Sequence, residues 1–340
     1  MPVATLGKLI KGENLTFAEM QGAMGGIMEG KWTPAQIGGF LVALRIKGET
    51  PQEIAAAVSI LREKATVVPT SAKPLVDTCG TGGDHSGSFN ISTAAAIVAA
   101  GGGVAVAKHG NKAMTSQCGS ANVLQELGIN LELTPEQVGE CIDKCRIGFM
   151  LATKHHSSFK HVVPVRQELG QRTIFNMMGP MINPARAKRQ LIGVFDMNLT
   201  RVMADVLFEL GSEHVMVVAG TDGLDEISLT APTKVAEVKG GTVTEYILNP
   251  QDLGFSLCTK ADLKGGDAAV NASIIRGVLA GKPGPALDIV LLNAGAALYL
   301  GGLAPDHKGG IALARQSVAS GAAAQALEGW ISFSRSFLTA

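Results

Sequence analysis

The sequence predicts an α/β protein, in which a small all-helical unit precedes a larger unit with a mostly parallel central sheet. Two observations favour this fold class. The first about 70 residues repeat helix-start signals, whereas the rest of the chain alternates short apolar runs, glycine turns and helical stretches. Strands that alternate with helices indicate a parallel sheet covered on both faces. A chain of 340 residues, 46% of them hydrophobic, is long enough for two such units.

The helix starts of the first unit share one pattern. Thr16-Phe17-Ala18-Glu19 has the form of a capping box, in which each polar side chain accepts a free backbone N–H of the helix start. Thr33-Pro34-Ala35-Gln36 and Thr50-Pro51-Gln52-Glu53 add proline at the first helical position, where no N–H is needed. With a helical stretch at residues 6–11, they predict an all-helical unit that ends before Val67-Val68-Pro69.

Five short apolar runs predict the parallel strands of the larger unit, and they cover residues 75–79, 103–107, 148–152, 191–195 and 214–219. Residues 234–248, with Gly240-Gly241 at their centre, predict a hairpin. Helices are expected from about Ser92, near residues 120–127 and after Thr134, and three helical segments are expected to close the chain. In such sheets ligands bind at the carboxyl ends of the strands. The polar motifs of this chain fall there.

The loop after the first predicted strand has the composition of a phosphate-binding site. Residues 80–84 read Gly-Thr-Gly-Gly-Asp, and residues 88–93 read Ser-Phe-Asn-Ile-Ser-Thr into the next helix. Glycines let backbone N–H groups point into one concavity, and the helix start adds further N–H groups and its dipole. A simple connecting turn would explain the glycines equally well. Asp84 favours the binding site, because an acid among such amides indicates a neighbouring cation or sugar hydroxyls.

Two further polar segments follow later strands. Residues 108–112 read Lys-His-Gly-Asn-Lys, and residues 115–120 add hydroxyl groups around Gly119. Asp225 and Glu226 follow the strand that ends at residue 219, and adjacent carboxylates that are buried need a cation because they repel each other. Taken singly, each segment is also compatible with a solvated surface turn. Together with the phosphate loop they predict magnesium carried by a diphosphate.

The composition argues against several classes of protein. Lys plus Arg equals Asp plus Glu at 29 each, which is not the basic excess typical of a nucleic-acid-binding protein. No stretch approaches the roughly 20 apolar residues of a membrane span, and the N-terminus does not read as a signal peptide. The five cysteines lack the paired spacing of a zinc site and predict reduced thiols. We therefore expect a cytoplasmic protein that binds neither nucleic acid nor membrane.

Taken in order, the motifs resemble the anthranilate phosphoribosyltransferase family, and the resemblance extends over essentially the whole chain. Each piece is common by itself, but their order and spacing are specific. The matching segments are residues 80–84 with 90–93, 108–111, 119–121 with 123–124, Arg166 with 168–170, 172–176 with 179–180, 183–184, 223–227 and 293–294.

The resemblance implies transfer of the phosphoribosyl group of phosphoribosyl pyrophosphate to the amine of anthranilate, with release of pyrophosphate, in tryptophan biosynthesis. It also implies a fold similar to that of nucleoside phosphorylases and phosphoribosyltransferases, a homodimer, and a site in the hinge between two domains. In that family a later segment returns to the helical domain. The expected domains are therefore residues 1–72 with about 165–188, and residues 73–164 with about 189–340.

Carried over position by position, the resemblance implies roles for most of the polar loop residues. Magnesium would be held by Ser92, Asp225 and Glu226. Anthranilate would contact Gly80, Asn111 and Arg166, and Arg166 would pair with its carboxylate. The residues expected to bind the substrates are Gly80, Gly83, Asp84, Ser88, Asn90, Ile91, Ser92, Thr93, Lys108, Asn111, Lys112, Ser116, Ser120 and Arg166, and those expected to act in catalysis are His109, Asn111 and Arg166.

Some positions depart from the family pattern. The departures are Lys112 for an arginine, Asn122 for an aspartate, and Thr153 with residues 157–159 in the segment that should line the acceptor passage. The acceptor is therefore the most open part of the prediction, and another aromatic acceptor is the first alternative. A nucleoside phosphorylase-like enzyme would not need the acidic pair. A non-catalytic relative that binds nucleic acid would be expected to carry a basic surface.

Overall fold

Two hydrophobic cores organise the chain, one on each face of a single sheet. The computed structural model describes residues 2–84, 86–112 and 117–338. One core joins the N-terminal helices to one face of the sheet, and the other packs the C-terminal helices on the opposite face.

The N-terminal part of the described chain contains four helices, which are α1 (Pro2–Ile10), α2 (Phe17–Met28), α3 (Pro34–Lys47) and α4 (Pro51–Lys64). Thr16, Thr33 and Thr50 form full capping boxes at the starts of α2, α3 and α4, as predicted. Glu53 also accepts the backbone N–H of Leu15 at 2.9 Å and lies 2.8 Å from the ammonium of Lys47. The carboxylate that caps α4 therefore also ties α4 to the end of α3 and to the loop before α2.

The sheet in the described residues has seven strands in the order β3-β2-β1-β4-β5-β6-β7. Their bounds are β1 (Leu75–Gly80), β2 (Ala105–Gly110), β3 (Ile147–Leu151), β4 (Arg189–Gly193), β5 (His214–Gly220), β6 (Thr233–Lys239) and β7 (Thr242–Leu248). Strands β1 to β5 are parallel, and β6 and β7 form the predicted hairpin at one edge. In β5, Val215 and Val217 join the first core whereas Met216 and Val218 join the second, because alternate side chains point to opposite faces. The predicted fold class is confirmed.

Several of the later helices pack directly on the sheet. No helix in the described residues is long and apolar enough to cross a membrane. Four helices close the described part of the chain rather than the predicted three, and Gly321, in the left-handed region (φ 78°), separates the last two. The helices are α5 (Ile91–Gly101), α6 (Ser120–Leu127), α7 (Pro135–Cys145), α8 (Ala152–His155), α9 (Val163–Leu169), α10 (Phe175–Met178), α11 (Asn198–Glu209), α12 (Ala268–Leu279), α13 (Pro285–Leu300), α14 (His307–Ala319) and α15 (Ala322–Ser336).

The segment that contains α9 and α10 packs against the N-terminal helices. Val165, Phe175 and Met178 are buried in the same core as the apolar side chains of α2 to α4. Arg62 of α4 donates a hydrogen bond from Nε to the carbonyl oxygen of Met181 at 2.7 Å. This packing is what a return of residues 165–188 to the helical domain requires, and the domain boundaries themselves stay a prediction.

Candidate active site

The carboxyl ends of β1 and β4 meet where the strand order reverses, which is the usual place for a ligand in an open α/β sheet. The backbone N–H of Thr81 donates to the carbonyl oxygen of Gly193 at 2.9 Å. A Cβ atom added to Gly193 would lie 1.5 Å from the carbonyl oxygen of Asp225, and one added to Gly80 would lie 2.5 Å from Asp225 Oδ2. Because both positions are glycine, the acidic segment after β5 can cross directly over the ends of β1 and β4.

Asp225 and Glu226 lie on this crossing segment. Asp225 Oδ2 accepts the backbone N–H of Gly82 at 3.0 Å, and Glu226 Oε1 accepts that of Ser92 at 3.1 Å. Both residues keep some exposed surface, but protein atoms surround their carboxyl groups. This burial raises the pKa of Asp225 to about 7, with a further contribution from the charge of Asp84. Burial and then the charge of Asp225 raise the pKa of Glu226 to about 8.

These carboxyl groups fit a divalent cation. Asp84 Oδ2 is buried without a hydrogen-bond partner, although it lies beside Asp225. The positive charge of Lys108 acts on Glu226 in the opposite direction and lowers its pKa. No group of three or more His, Cys, Asp or Glu side chains forms a complete metal site in the described chain. Magnesium commonly uses one or two carboxylates and takes its other ligands from phosphates and water, so an incomplete acidic site is what it requires.

Lys108 and Asp77 place a second pair of charges beneath this site, and both side chains are buried. Lys108 Nζ donates to Ser92 Oγ at 3.3 Å and to the backbone of β1. Asp77 accepts a hydrogen bond from Asn183 Nδ2 at 2.8 Å and from the backbone N–H of His109 at 3.1 Å. Burial lowers the pKa of Lys108 and raises that of Asp77, and the attraction between them opposes both shifts.

The residues predicted to bind the donor phosphates line the loop after β1 and the start of α5. Thr93 is buried and its Oγ1 has no partner, whereas the Ile91 side chain packs in the core and leaves only its backbone for a ligand. Ser88 accepts a hydrogen bond from Ser86 Oγ at 3.1 Å. Gly83 has φ +80°, and its carbonyl oxygen accepts a hydrogen bond from Arg172 at 2.7 Å.

The second predicted loop closes one side of the crevice. Ser120 Oγ donates to the carbonyl oxygen of Asn111 at 3.2 Å, so the two predicted site residues are in contact. Lys112 is exposed, and its backbone N–H donates to Asn111 Oδ1 at 2.8 Å. Ser116, the other predicted ligand of this loop, lies outside the described residues.

Aromatic rings and one arginine form a connected group that starts at His109, which we call the aromatic wall. The rings of His109 and His156 meet edge to face at 5.2 Å, Phe159 lies 5.6 Å from His156, and Phe175 follows at 5.5 Å. The guanidinium of Arg166 lies 5.4 Å from the centre of the Phe175 ring, and Arg166 makes no ion pair with any described residue. Burial lowers the pKa of His109 to about 3 and that of His156 to about 4, so both rings are neutral near pH 7.

Five of the nine buried polar side-chain atoms without partners in the described residues belong to the phosphate loop, the start of α5 and the aromatic wall. They are Thr81 Oγ1, Asp84 Oδ2, Thr93 Oγ1, His109 Nε2 and His156 Nε2. Buried polar groups are normally hydrogen-bonded, so such a concentration needs an explanation. A polar ligand between the phosphate loop and the aromatic wall would supply the missing partners.

The sequence matches two domain models of the glycosyl transferase family, the helical bundle domain over residues 3–65 and the a/b domain over residues 72–324. It is also 52% identical to the anthranilate phosphoribosyltransferase of Chromobacterium violaceum over 335 residues, which is 98% of each chain. The chain belongs to the anthranilate phosphoribosyltransferase family. The resemblance predicted from the motifs is thus confirmed.

Solved structures of anthranilate phosphoribosyltransferases have the same fold. The crystal structure of the Thermus thermophilus enzyme has a TM-score of 0.93 and 44% identity, and the match covers 97% of this chain and 99% of that one. The Saccharomyces cerevisiae enzyme in complex with PRPP and Mg has a TM-score of 0.90 and 28% identity, with 98% of both chains covered. The yeast enzyme in complex with 4-fluoroanthranilate has a TM-score of 0.88 and 26% identity, again with 98% of both chains covered.

Within the anthranilate phosphoribosyltransferase fold, sequence reasoning placed most loop residues at one crevice but missed some supporting residues. Asp77 had no predicted role, although an acid inside an apolar strand signals a buried partner. Arg172 was part of a matching segment, but its bond to the phosphate loop crosses 89 positions of sequence and leaves no local signal. His156 was not among the predicted site residues. The specific roles of the predicted site residues stay predictions.

Proposed function

We propose that this chain is an anthranilate phosphoribosyltransferase, which joins the amine of anthranilate to the phosphoribosyl group of phosphoribosyl pyrophosphate and releases pyrophosphate, in tryptophan biosynthesis. One observation carries the proposal: a glycine-rich phosphate loop lies beside two enclosed carboxyl groups whose pKa values are raised to about 7 and about 8. Full-length similarity to enzymes of this activity supports it.

The donor would bind along the loop after β1 and the start of α5. Hydroxyl groups of Ser88, Ser92 and Thr93 and the backbone N–H groups of the helix start would donate to its phosphate oxygens. Asp225 and Glu226, with Ser92, would hold Mg²⁺, as the complex of the yeast relative with PRPP and Mg suggests. When bound, Mg²⁺ supplies positive charge that neutralises the departing pyrophosphate.

The acceptor would bind against the aromatic wall. Arg166 would pair with the carboxylate of anthranilate, since its half-buried guanidinium has only the Phe175 ring as a neighbouring charge or ring partner among the described residues. His109 has a pKa near 3, which makes it a weak base and a good neutral hydrogen-bonding group. A neutral aromatic amine attacks without a strong base. Catalysis therefore depends on holding the amine against the anomeric carbon and on compensating the charge of the leaving group.

The test is release of pyrophosphate from phosphoribosyl pyrophosphate, measured with and without anthranilate and with and without Mg²⁺. We expect release that requires both, with a parallel loss of anthranilate fluorescence. Addition of a chelator in excess over Mg²⁺ should stop the reaction, and added Mg²⁺ should restore it. Release that is the same without anthranilate would contradict the transfer reaction.

A different aromatic acceptor is the second candidate, and one observation favours it. Phe159 lies 5.6 Å from the His156 ring, in the segment that departs from the family pattern. The large aromatic side chain of Phe159 beside the proposed acceptor site would change the space available for substituents on the acceptor ring. The same assay with anthranilates substituted around the ring would rank the acceptors. Inorganic phosphate with a nucleoside tests the phosphorylase alternative in parallel.

The remaining expectations concern assembly and location. We expect a homodimer in the cytoplasm, in line with the family resemblance. Light scattering coupled to gel filtration would measure the molar mass in solution and thereby test the dimer.

A further inference from the structure

Residues 263–271 form one wall of the proposed donor loop, although no segment of the family resemblance covers them. The backbone N–H of Phe89 donates to the carbonyl oxygen of Leu263 at 3.1 Å, and that of Gly265 donates to Gly87 at 2.9 Å. Ser88 and Lys264 form an antiparallel bridge between these bonds. A Cβ atom on Gly265 would lie 2.7 Å from the backbone nitrogen of Phe89, so the two segments are in direct backbone contact.

Asn271, in the first turn of α12, extends this contact into the site. Its side chain is only 2% exposed. Asn271 Oδ1 accepts the backbone N–H of Gly266 at 2.8 Å, and Asn271 Nδ2 donates to Asn90 Oδ1 at 2.9 Å. Asn90 Nδ2 in turn donates to the carbonyl oxygen of Cys118 at 3.1 Å. Hydrogen bonds therefore connect α12 to the phosphate loop and the phosphate loop to the end of the second loop, where Asn271 also hydrogen-bonds to the Cys118 side chain.

The direction of these bonds is fixed at both ends. The backbone N–H of Gly266 can only donate and the carbonyl oxygen of Cys118 can only accept, so neither Asn271 nor Asn90 can turn its amide over without two mismatched contacts. The Asn90 amide has two N–H groups, and one is used by Cys118. Its second N–H therefore stays on the nitrogen side of the amide, and no described residue is recorded as accepting it.

We propose that Asn271 is a positioning residue for the donor: it fixes the orientation of the Asn90 amide, so that Asn90 donates a hydrogen bond to a phosphate oxygen. The inference rests on the proposed function, because it takes Asn90 as a ligand of phosphoribosyl pyrophosphate. It adds a residue from the C-terminal part of the chain to the machinery of the donor site.

The sharpest variant is Asn271→Asp, because it keeps the size of the side chain and the oxygen that accepts from Gly266. Its second oxygen faces Asn90 Oδ1, so the Asn90 amide has one oxygen–oxygen contact in either orientation, with the new carboxylate or, when turned over, with the Cys118 carbonyl, and its orientation is no longer fixed. Loss of a buried hydrogen bond commonly costs one to two powers of ten in an equilibrium constant. We expect the Kd and the KM of phosphoribosyl pyrophosphate to rise about 10- to 100-fold, with the KM of anthranilate changed less than about threefold.

A double-mutant cycle separates positioning from general support. Asn271 acts through Asn90, so in an Asn90→Ala background the further change Asn271→Asp should leave the donor Kd within about twofold. An equal loss in both backgrounds would overturn the proposal, because it would mean that Asn271 acts independently of Asn90.

Asn130→Asp is the matched control. Asn130 Oδ1 accepts the backbone N–H of Glu132 at 2.9 Å and its Nδ2 donates to the carbonyl oxygen of Ser334 at 3.1 Å, so the same chemistry occurs away from the crevice. This variant should lose stability without a change in donor Kd. If Asn271→Asp behaves in the same way, or raises both KM values equally, the positioning role is wrong. If the unaltered protein itself shows no binding of the donor by calorimetry with Mg²⁺, the proposed function fails, and the inference with it.

Discussion

The two ends of the sheet hold enclosed carboxyl groups in opposite states. At the amino end of β5, Glu237 lies 2.8 Å from His214 Nε2 and accepts hydrogen bonds from Tyr299 at 2.7 Å and Tyr246 at 2.9 Å. Burial acts to raise the pKa of Glu237, but these three hydrogen bonds together lower it. Lys239 completes the group by donating to the Tyr299 hydroxyl at 2.8 Å.

At the carboxyl end, the charges lack such partners. Asp225 and Glu226 each accept a hydrogen bond from one backbone N–H of the phosphate loop or of α5, and their pKa values are raised. Arg166 has an aromatic ring but no ion pair among the described residues. The fold can satisfy a buried carboxylate fully, as Glu237 shows. Incomplete compensation at the other end is typical of a binding site, and it favours a ligand that brings a cation to the carboxyl groups and an anion to Arg166.

The largest effect is expected when the two carboxylates at the incompletely compensated end of the sheet are replaced. Asp225→Asn combined with Glu226→Gln should lower Mg²⁺-dependent turnover at least about a thousandfold, because the cation loses its charged ligands. Turnover at saturating substrate and Mg²⁺ is the measurement. The control is Asp205→Asn with Glu245→Gln, which removes two carboxylates paired with Arg201 at the surface. Near-normal turnover of the first variant would remove the acidic pair from the site.

A second variant tests Arg166, the positive charge without an ion pair among the described residues. Arg166→Ala should raise the KM of anthranilate about 10- to 100-fold and leave the KM of the donor nearly unchanged, since the charged hydrogen bond to the acceptor carboxylate is lost. Arg166→Lys should fall between, because it keeps the charge without the planar fork. Steady-state kinetics with each substrate varied in turn measures both constants. A rise confined to the donor would mean that the two binding walls are assigned the wrong way round.

The smallest effect is expected at the amino end of β5, where the Glu237 carboxylate has its hydrogen-bond partners. Glu237→Gln should lower the free energy of unfolding by about 1–3 kcal/mol near pH 7 and leave turnover unchanged. The folded-state pKa of Glu237 is lowered, so its contribution is present above the ordinary glutamate pKa and is lost as pH falls through the folded value. The difference between variant and parent should therefore shrink in acid. Urea unfolding across pH measures it.

For the acidic pair, Asp225 and Glu226, the same unfolding experiment should show the opposite dependence of stability on pH. The pKa values of Asp225 and Glu226 are raised in the folded state, so their contribution to stability is present in acid and is lost as pH rises through about 7 to 8. Without Mg²⁺, the double amide variant should gain stability relative to the parent as pH rises toward 8. A loss of stability there would contradict the raised pKa values.

The features that could be predicted from the sequence depend on residues that lie close together in the chain. Capping residues such as Thr16 lie three positions from their partners, and the phosphate loop and the acidic pair are recognisable as short motifs. Contacts between distant segments could not be predicted in this way, because the type of a residue does not indicate which distant residue it contacts. Asn271 and Asn90 are separated by 181 positions.

Gly193 carries a consequence for how mutations in this protein would be read. It has no side chain with which to bind or transfer anything, yet an added methyl group would meet the carbonyl oxygen of Asp225 at 1.5 Å. Replacement by alanine would lift the acidic segment off the strand ends and separate the carboxylates from the phosphate loop. A screen that ranks positions by lost activity would score this glycine with Asp225 and Glu226. The absence of a side chain at Gly193 therefore determines how closely the acidic segment approaches the ends of the strands.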